Sequence, residues 1–289
     1  MLNYKKIISF LGKTIGYIIL AYILYKFFNE YGLSDFIDRI NRLGVVSFFV
    51  LFLNFIALLS GIYIWHILLA NNTNLRIKYL DSFAYFVKTE VGKYLPGNVF
   101  HFVGRQLIAS RLGISQKVMF KITFSLSVLL VIGTFFAGTM FGLLSTKPFS
   151  YIMLLIYAGL IGSVLYNCIF LKNIKRFTKI KINFFATLSL GINGLMMGIV
   201  IFTQLPEFHL KMFFEVACLY VVSWFLGFIV PGASGGLGVR EGAFLMLAKL
   251  NGTFIPESVI IFSVVTLRIF NIVTDIAAFL LSYYVKRTV

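Results

Sequence analysis

The chain is poor in charge, and poorest in acid. Charged residues make up 12% of its 289 positions, with 10 Asp or Glu against 26 Lys or Arg. A soluble domain carries roughly a quarter charged residues, so a soluble globular protein is excluded. Cysteine is scarce as well. Cys168 and Cys218 are the 2 present, and both fall in apolar segments, so neither a disulfide framework nor a metal site is indicated. The 3 histidines are His66, His101 and His209. All lie upstream of Ser234, which argues against an intramembrane serine protease built on the GASGG stretch at 232–236. That stretch matches a Gly-x-Ser-x-Gly elbow, but the elbow needs a strand-to-helix turn that these long apolar runs do not offer. No Gly-Lys-Ser/Thr follows the glycines, so a phosphate-binding P-loop is excluded. No cofactor and no enzymatic activity are expected. The N-terminal apolar segment lacks a small-residue cleavage site and reads as a retained first span.

What is abundant is hydrocarbon. Hydrophobic residues reach 60%, Phe alone supplies 33 positions, and mean hydropathy is +0.93. The charge-free stretches 43–75, 122–146, 148–171 and 182–206 exceed the roughly 20 residues that cross a bilayer core as a helix. Runs this long argue against a β-barrel, whose strands are short and alternating. Spans are expected near 14–28, 46–70, 120–144, 150–171, 183–205 and 258–284. Two further stretches, 82–112 and 212–250, are apolar enough to enter the bilayer but carry charge. Each is broken in its middle, by Pro96-Gly97 and by Pro231-Gly232. The segment 34–44 puts Phe36, Ile37, Ile40 and Leu43 on one helical face. It reads as a short interfacial helix or an ordinary loop helix.

The net charge of +16 is explained by basic loops at an anionic cytoplasmic leaflet, and no nucleic-acid partner is needed. The run KNIKRFTKIK at 172–181, the basic 71–121 region, Lys5-Lys6 and Lys286-Arg287 would place both termini in the cytoplasm. This implies a multi-pass protein of the inner (cytoplasmic) membrane. The two broken stretches then enter and leave on one side each, the first from the cytoplasm and the second from outside.

The broken stretches also resemble each other. Pro96-Gly97 precedes Arg105-Gln106, and Pro231-Gly232 precedes Arg240-Glu241, at one offset of 135 residues. The same offset carries spans one to three onto spans four to six. The expected fold is an all-α polytopic membrane protein with about six transmembrane helices and two re-entrant broken-helix hairpins. It forms a single membrane domain over 1–289, with an inverted repeat of about 1–145 and 146–289. Inverted-repeat transporters place substrate near the midplane, where discontinuous helices meet.

The candidate site follows from that expectation. Proline stops a helix, and the glycines permit positive φ and close backbone approach. The free N–H groups opening the helix near Val239 to Gly242, with Arg240 beside them, suit a phosphate. Charges at membrane depth are functional candidates: Lys88, Glu90, Lys93 and Arg105 in the first stretch, Glu215, Arg240 and Glu241 in the second. Arg268 and Asp275, seven residues apart, share a helical face. The substrate pathway is therefore assigned to Lys93, Pro96, Gly97, Arg105, Glu215, Pro231, Gly232, Gly235, Gly236, Gly238, Arg240, Glu241, Arg268 and Asp275. The competing assignment is structural pairing, with Arg240 or Arg268 held by Glu215 or Asp275 and with Lys88 and Lys93 at headgroup level. His101 is a substrate contact or a packed, hydrogen-bonded histidine, and His66 an interfacial one.

PGASGGLGVREG at 231–242, together with KYLPGNVFHFVGR at 93–105, resembles the flippase-like family, also called the lysylphosphatidylglycerol synthase transmembrane region. The resemblance covers most of the chain. Ala233-Ser234 departs from that family's usual Pro-Gly-Gly. The resemblance implies a bundle with re-entrant helices that moves lipids between leaflets. The chain stops at Val289 without the soluble aminoacyl-transfer domain of the two-domain relatives, so lipid lysylation by this chain is not implied. The expected function is translocation of an anionic phospholipid or a polyprenyl-phosphate or glycolipid headgroup. The expected partners are membrane lipids, a second copy of the chain, or a lipid-modifying enzyme. A membrane-embedded transferase acting on lipid-linked substrates and a small-solute secondary transporter are the alternatives.

Overall fold

A computed structural model describes residues 14, 17–23, 25, 26, 28, 29, 32–73, 75–94, 100–145, 150–169, 171, 174–205, 207, 209–230, 236, 238–253 and 255–285, with side chains of 150–155, 158 and 169 excepted. Among the described residues there are helices and no strand. The helices with described bounds are α1 (Gly32–Leu43), α2 (Val46–Asn72), α3 (Tyr79–Glu90), α4 (Phe100–Arg111), α5 (Gln116–Leu144), α6 (Ser150–Ile169), α7 (Arg176–Phe202), α8 (Leu210–Ile229), α9 (Val239–Leu250) and α10 (Glu257–Leu281), and residues 17–23, 25 and 26 are helical as well. A single 3₁₀ turn, Val91–Tyr94, continues α3.

Five of these, α2, α5, α7, α8 and α10, are long and apolar enough to cross a membrane. The protein is a multi-pass, all-α membrane protein. Large side chains such as Phe48, Phe52, Phe124, Phe184 and Phe202 point outward from these helices, as a hydrocarbon surround permits.

The expected spans 46–70, 120–144, 183–205 and 258–284 each fall on one long helix. The third begins earlier than its apolar run, at Arg176, and takes Lys179 and Lys181 into its first turns. Long basic side chains can reach the headgroups from there. The expected span 150–171 is α6, and only part of the expected span 14–28 falls among the described residues. The second broken stretch differs from expectation in one respect: α8 is 20 residues long, enough by itself to cross. The segment 34–44 is helical in α1, with Phe36 against Phe262 at 5.4 Å and Leu43 buried, whereas Ile37 is 54% exposed. The packed face is thus Phe36, Ile40 and Leu43.

At the centre lies α7, which packs on α2, α5, α8 and α10. Without a hydrophobic drive between lipid-bathed helices, close approach of small residues supplies packing. Gly133 of α5 meets the α7 backbone so closely that a Cβ there would lie 2.5 Å from the Ala186 carbonyl. Two apolar clusters form. One joins the C-terminal part of α2, α3 and the N-terminal part of α5. The other joins the C-terminal part of α7 to α8, α9 and α10.

Candidate functional site

A cavity of about 370 Å³ separates these two clusters. The residues lining it sit near the middle of the long helices: Asn54 to Gly61 of α2, Leu126 to Leu130 of α5, Ser189 and Asn193 of α7, Arg268 to Asp275 of α10. The other four contributors reach it by their ends. Glu90 closes α3 and Phe228 lies at the end of α8, while His101 and Arg105 lie in the first half of α4 and Arg240 opens α9. Polar side chains at this depth are expensive unless partnered or wet. Their concentration at one level, between two apolar layers, defines the site.

On one wall the charges are matched. Glu90 accepts from Lys93 Nζ at 3.3 Å and from Arg105 Nη2 at 2.8 Å. Lys93 reaches Asp275 Oδ2 at 2.8 Å, and the same oxygen accepts from the Tyr94 hydroxyl at 2.5 Å. The Arg105 guanidinium also lies over the Phe86 ring, 4.5 Å from its centre. Each carboxylate here serves two donors, the condition under which a buried ion pair holds together.

The opposite wall is looser. Arg240, 5% exposed, has its Nε 3.6 Å from Glu241 Oε1, and Arg268 Nη1 is 4.0 Å from that oxygen. Both separations exceed hydrogen-bond length. Among the described residues no hydrogen-bond acceptor meets Nε or Nη2 of Arg240, and no donor meets either oxygen of Glu241. The Tyr220 ring lies 5.4 Å from the Arg240 guanidinium, and its buried hydroxyl is equally without a partner there. Counting both walls, Lys93, Arg105, Arg240 and Arg268 face Glu90, Glu241 and Asp275. Among these described residues the positive charges outnumber the negative by one.

Two glycines set this geometry, and neither was singled out from the sequence. A Cβ on Gly92 would lie 2.9 Å from the His101 nitrogen and 3.0 Å from the Phe100 carbonyl carbon. A Cβ on Gly227 would lie 2.8 Å from the Arg240 Cβ and 3.2 Å from its Cα. Each glycine lets the end of one helix touch the start of the next. Gly236 and Gly238 have φ of 72° and 76°, the left-handed region that favours glycine, and they deliver the chain into α9.

The structure brings together Lys93, Arg105, Gly236, Arg240, Arg268 and Asp275 around the cavity, with Glu241 behind Arg240. Arg268 and Asp275 both line it, as their shared face requires. Glu215 lies elsewhere: it is buried and accepts from Thr253 at 2.6 Å and from Asn251, tying the start of α8 to the end of α9. The carboxylate beside both Arg240 and Arg268 is Glu241, while Asp275 Oδ2 is taken by Lys93 and Tyr94. Lys93 lines the cavity, whereas Lys88 sits 4.5 Å over the Tyr283 ring. Pro96, Gly97, Pro231, Gly232 and Gly235 lie outside the described residues. His101 lines the cavity, and its Nδ1 finds no hydrogen-bond partner among the described residues. His66 is held by Ser82 at 2.8 Å and stands edge-on to Tyr79. Asn54, Ser189 and Asn193 were missed: an isolated amide or hydroxyl in an apolar run carries no positional signal.

No protein-family model matches the chain, and no curated protein matches it.

Proposed function

We propose that the protein is a lipid translocase that takes the anionic headgroup of a phospholipid or lipid-linked sugar through the central cavity. The observation that carries this reading is Arg240. A guanidinium buried at mid-depth with two donor nitrogens that meet no acceptor among the described residues bears a desolvation cost of about 1–3 kcal/mol per unsatisfied group. A phosphate oxygen removes that cost, and a planar guanidinium matches phosphate with paired hydrogen bonds. The N-terminal end of α9, at Val239, adds its positive dipole end on the same side. One surplus positive charge among the cavity side chains suits a phosphodiester, which carries a single negative charge.

The reading includes an inverted repeat with two re-entrant hairpins, α3–α4 and α8–α9. A shift of 135 residues carries α2 onto α7, α3 onto α8, α4 onto α9 and α5 onto α10 within a few residues. It also carries Gly92 onto Gly227 and Tyr85 onto Tyr220. Each glycine packs against the start of the returning helix, Gly92 at Phe100 and His101 and Gly227 at Arg240. The end of α8 lines the same cavity as the middle of α7, as expected of a helix that stops inside the bilayer and turns back. Insertion in the inner membrane with both termini cytoplasmic, and kinship with the flippase-like family, complete the proposal.

The test is leaflet exchange of a fluorescent phosphatidylglycerol in vesicles holding the purified protein. Wild type should speed exchange, and Arg240→Ala should return it to the protein-free rate. Exchange at the wild-type rate in Arg240→Ala would refute the role given to this residue.

A further inference from the structure

A second hollow of about 380 Å³ adjoins the charged cavity, lined by α4, α5 and the end of α8. The two share Phe102, Ser127 and Phe228 as lining residues. Their chemistry is opposite. Although Thr123 and Ser127 contribute to its walls, only apolar atoms face the second hollow. Its outer rim is open on the lipid-facing side of the bundle, where Phe120, Phe124 and Phe228 are 65%, 54% and 41% exposed. An apolar trough beside a cationic pocket has the polarity of one amphiphile laid on its side. A free ion or sugar gains nothing from the trough, and a bulk lipid without an anionic head gains nothing from Arg240.

We infer that this slot between α4, α5 and the end of α8 holds a hydrocarbon chain of the same lipid whose anionic head sits at Arg240. The inference rests on the translocase reading and specifies its substrate as a chain-bearing anion that enters sideways from the bilayer. The head passes between Phe102 and Phe228, the residues common to both hollows, while the chain remains in the slot. Sideways entry lets the lipid keep its tail in an apolar medium throughout, which avoids the cost of exposing its methylenes to water.

Val128 and Val131 line the slot and not the cavity, so they separate the two sites experimentally. Binding is measured for two probes on detergent-purified protein: long-chain phosphatidylglycerol, and glycerophosphoglycerol, the same head without chains. Val128→Trp and Val131→Trp should each weaken the long-chain lipid at least tenfold and leave the tailless head within twofold of wild type. Wild-type affinity for the long-chain lipid in both variants overturns the inference. Loss of both probes in both variants also overturns it, because the slot is then not separable from the cavity. A change from dimer to monomer in the variants overturns it in favour of a second copy of the chain on this face. The headgroup reading is judged without slot variants: it fails if wild type ignores the tailless probe or Arg240→Ala binds it unchanged.

Discussion

At the scale of single residues, the two walls of the cavity contain the same kinds of side chain in different states. Glu90 serves two cations within 3.3 Å, so removing its charge strands Arg105 and leaves Lys93 to Asp275 alone. Breaking a buried pair costs about 3–5 kcal/mol, reduced here because Glu90 faces a cavity that water can enter. Glu90→Gln is therefore expected to lower the thermal midpoint in detergent by several degrees, and an unchanged midpoint would show that the network is not structural. Arg240 predicts the reverse pattern. Its Nε and Nη2 lack hydrogen-bond acceptors among the described residues, so Arg240→Met should disturb the midpoint less than Glu90→Gln while abolishing exchange. Arg240→Lys, which keeps the charge but loses the planar fork, should retain part of the activity. A midpoint loss in Arg240→Met as large as in Glu90→Gln would make the arginine a structural element.

At the scale of elements, helix ends meet helix starts through glycine. Gly92 touches the backbone opening of α4, and Gly227 touches Arg240 itself. Side chains added here cannot be absorbed by rotamer changes alone, because the nearest atoms include backbone. Gly227→Ala should slow lipid exchange by displacing Arg240, and Gly227→Val should eliminate it, with the protein still inserted. Gly92→Val should act on Lys93 and His101 in the same graded way. Equal rates across the Gly227 series would mean that the contact does not position the arginine. Pro96 and Pro231 advertise both breaks in the sequence. The glycines that make the breaks compact look like any other glycine of an apolar run until the opposing backbone is known.

For the whole molecule, the arrangement is two apolar clusters with a charged layer between them. Water in that layer predicts an accessibility pattern. Single cysteines at Gly61 or Asn193, which line the cavity, should react with a charged thiol reagent, whereas one at exposed Phe184 should not. The proposed hairpins predict sidedness: Lys78 and Gln116 flank the first and should share one face, while Lys211 and Gly252 flank the second and should share the other. Labelling all four positions from one side would dismantle the inverted repeat and leave the cavity to be explained by some other topology.

Much of this was legible before any coordinates. Long runs without charge can only be membrane helices, because backbone groups in lipid must be satisfied within the segment. Residues seven apart on a helix, such as Arg268 and Asp275, must share a face. The tertiary structure alone decided which charge answers which. The partners of Glu90 on α4 and of Asp275 on the turn after α3 come from separate elements, and helix packing chose Lys93 and Tyr94 for Asp275 while holding the Arg240 Nε 3.6 Å from Glu241, an ion pair longer than a hydrogen bond. Hydropathy reports where a segment can sit. It carries no information about rotation and crossing of neighbouring helices, and those determine whether a buried charge is neutralised or left available to bind.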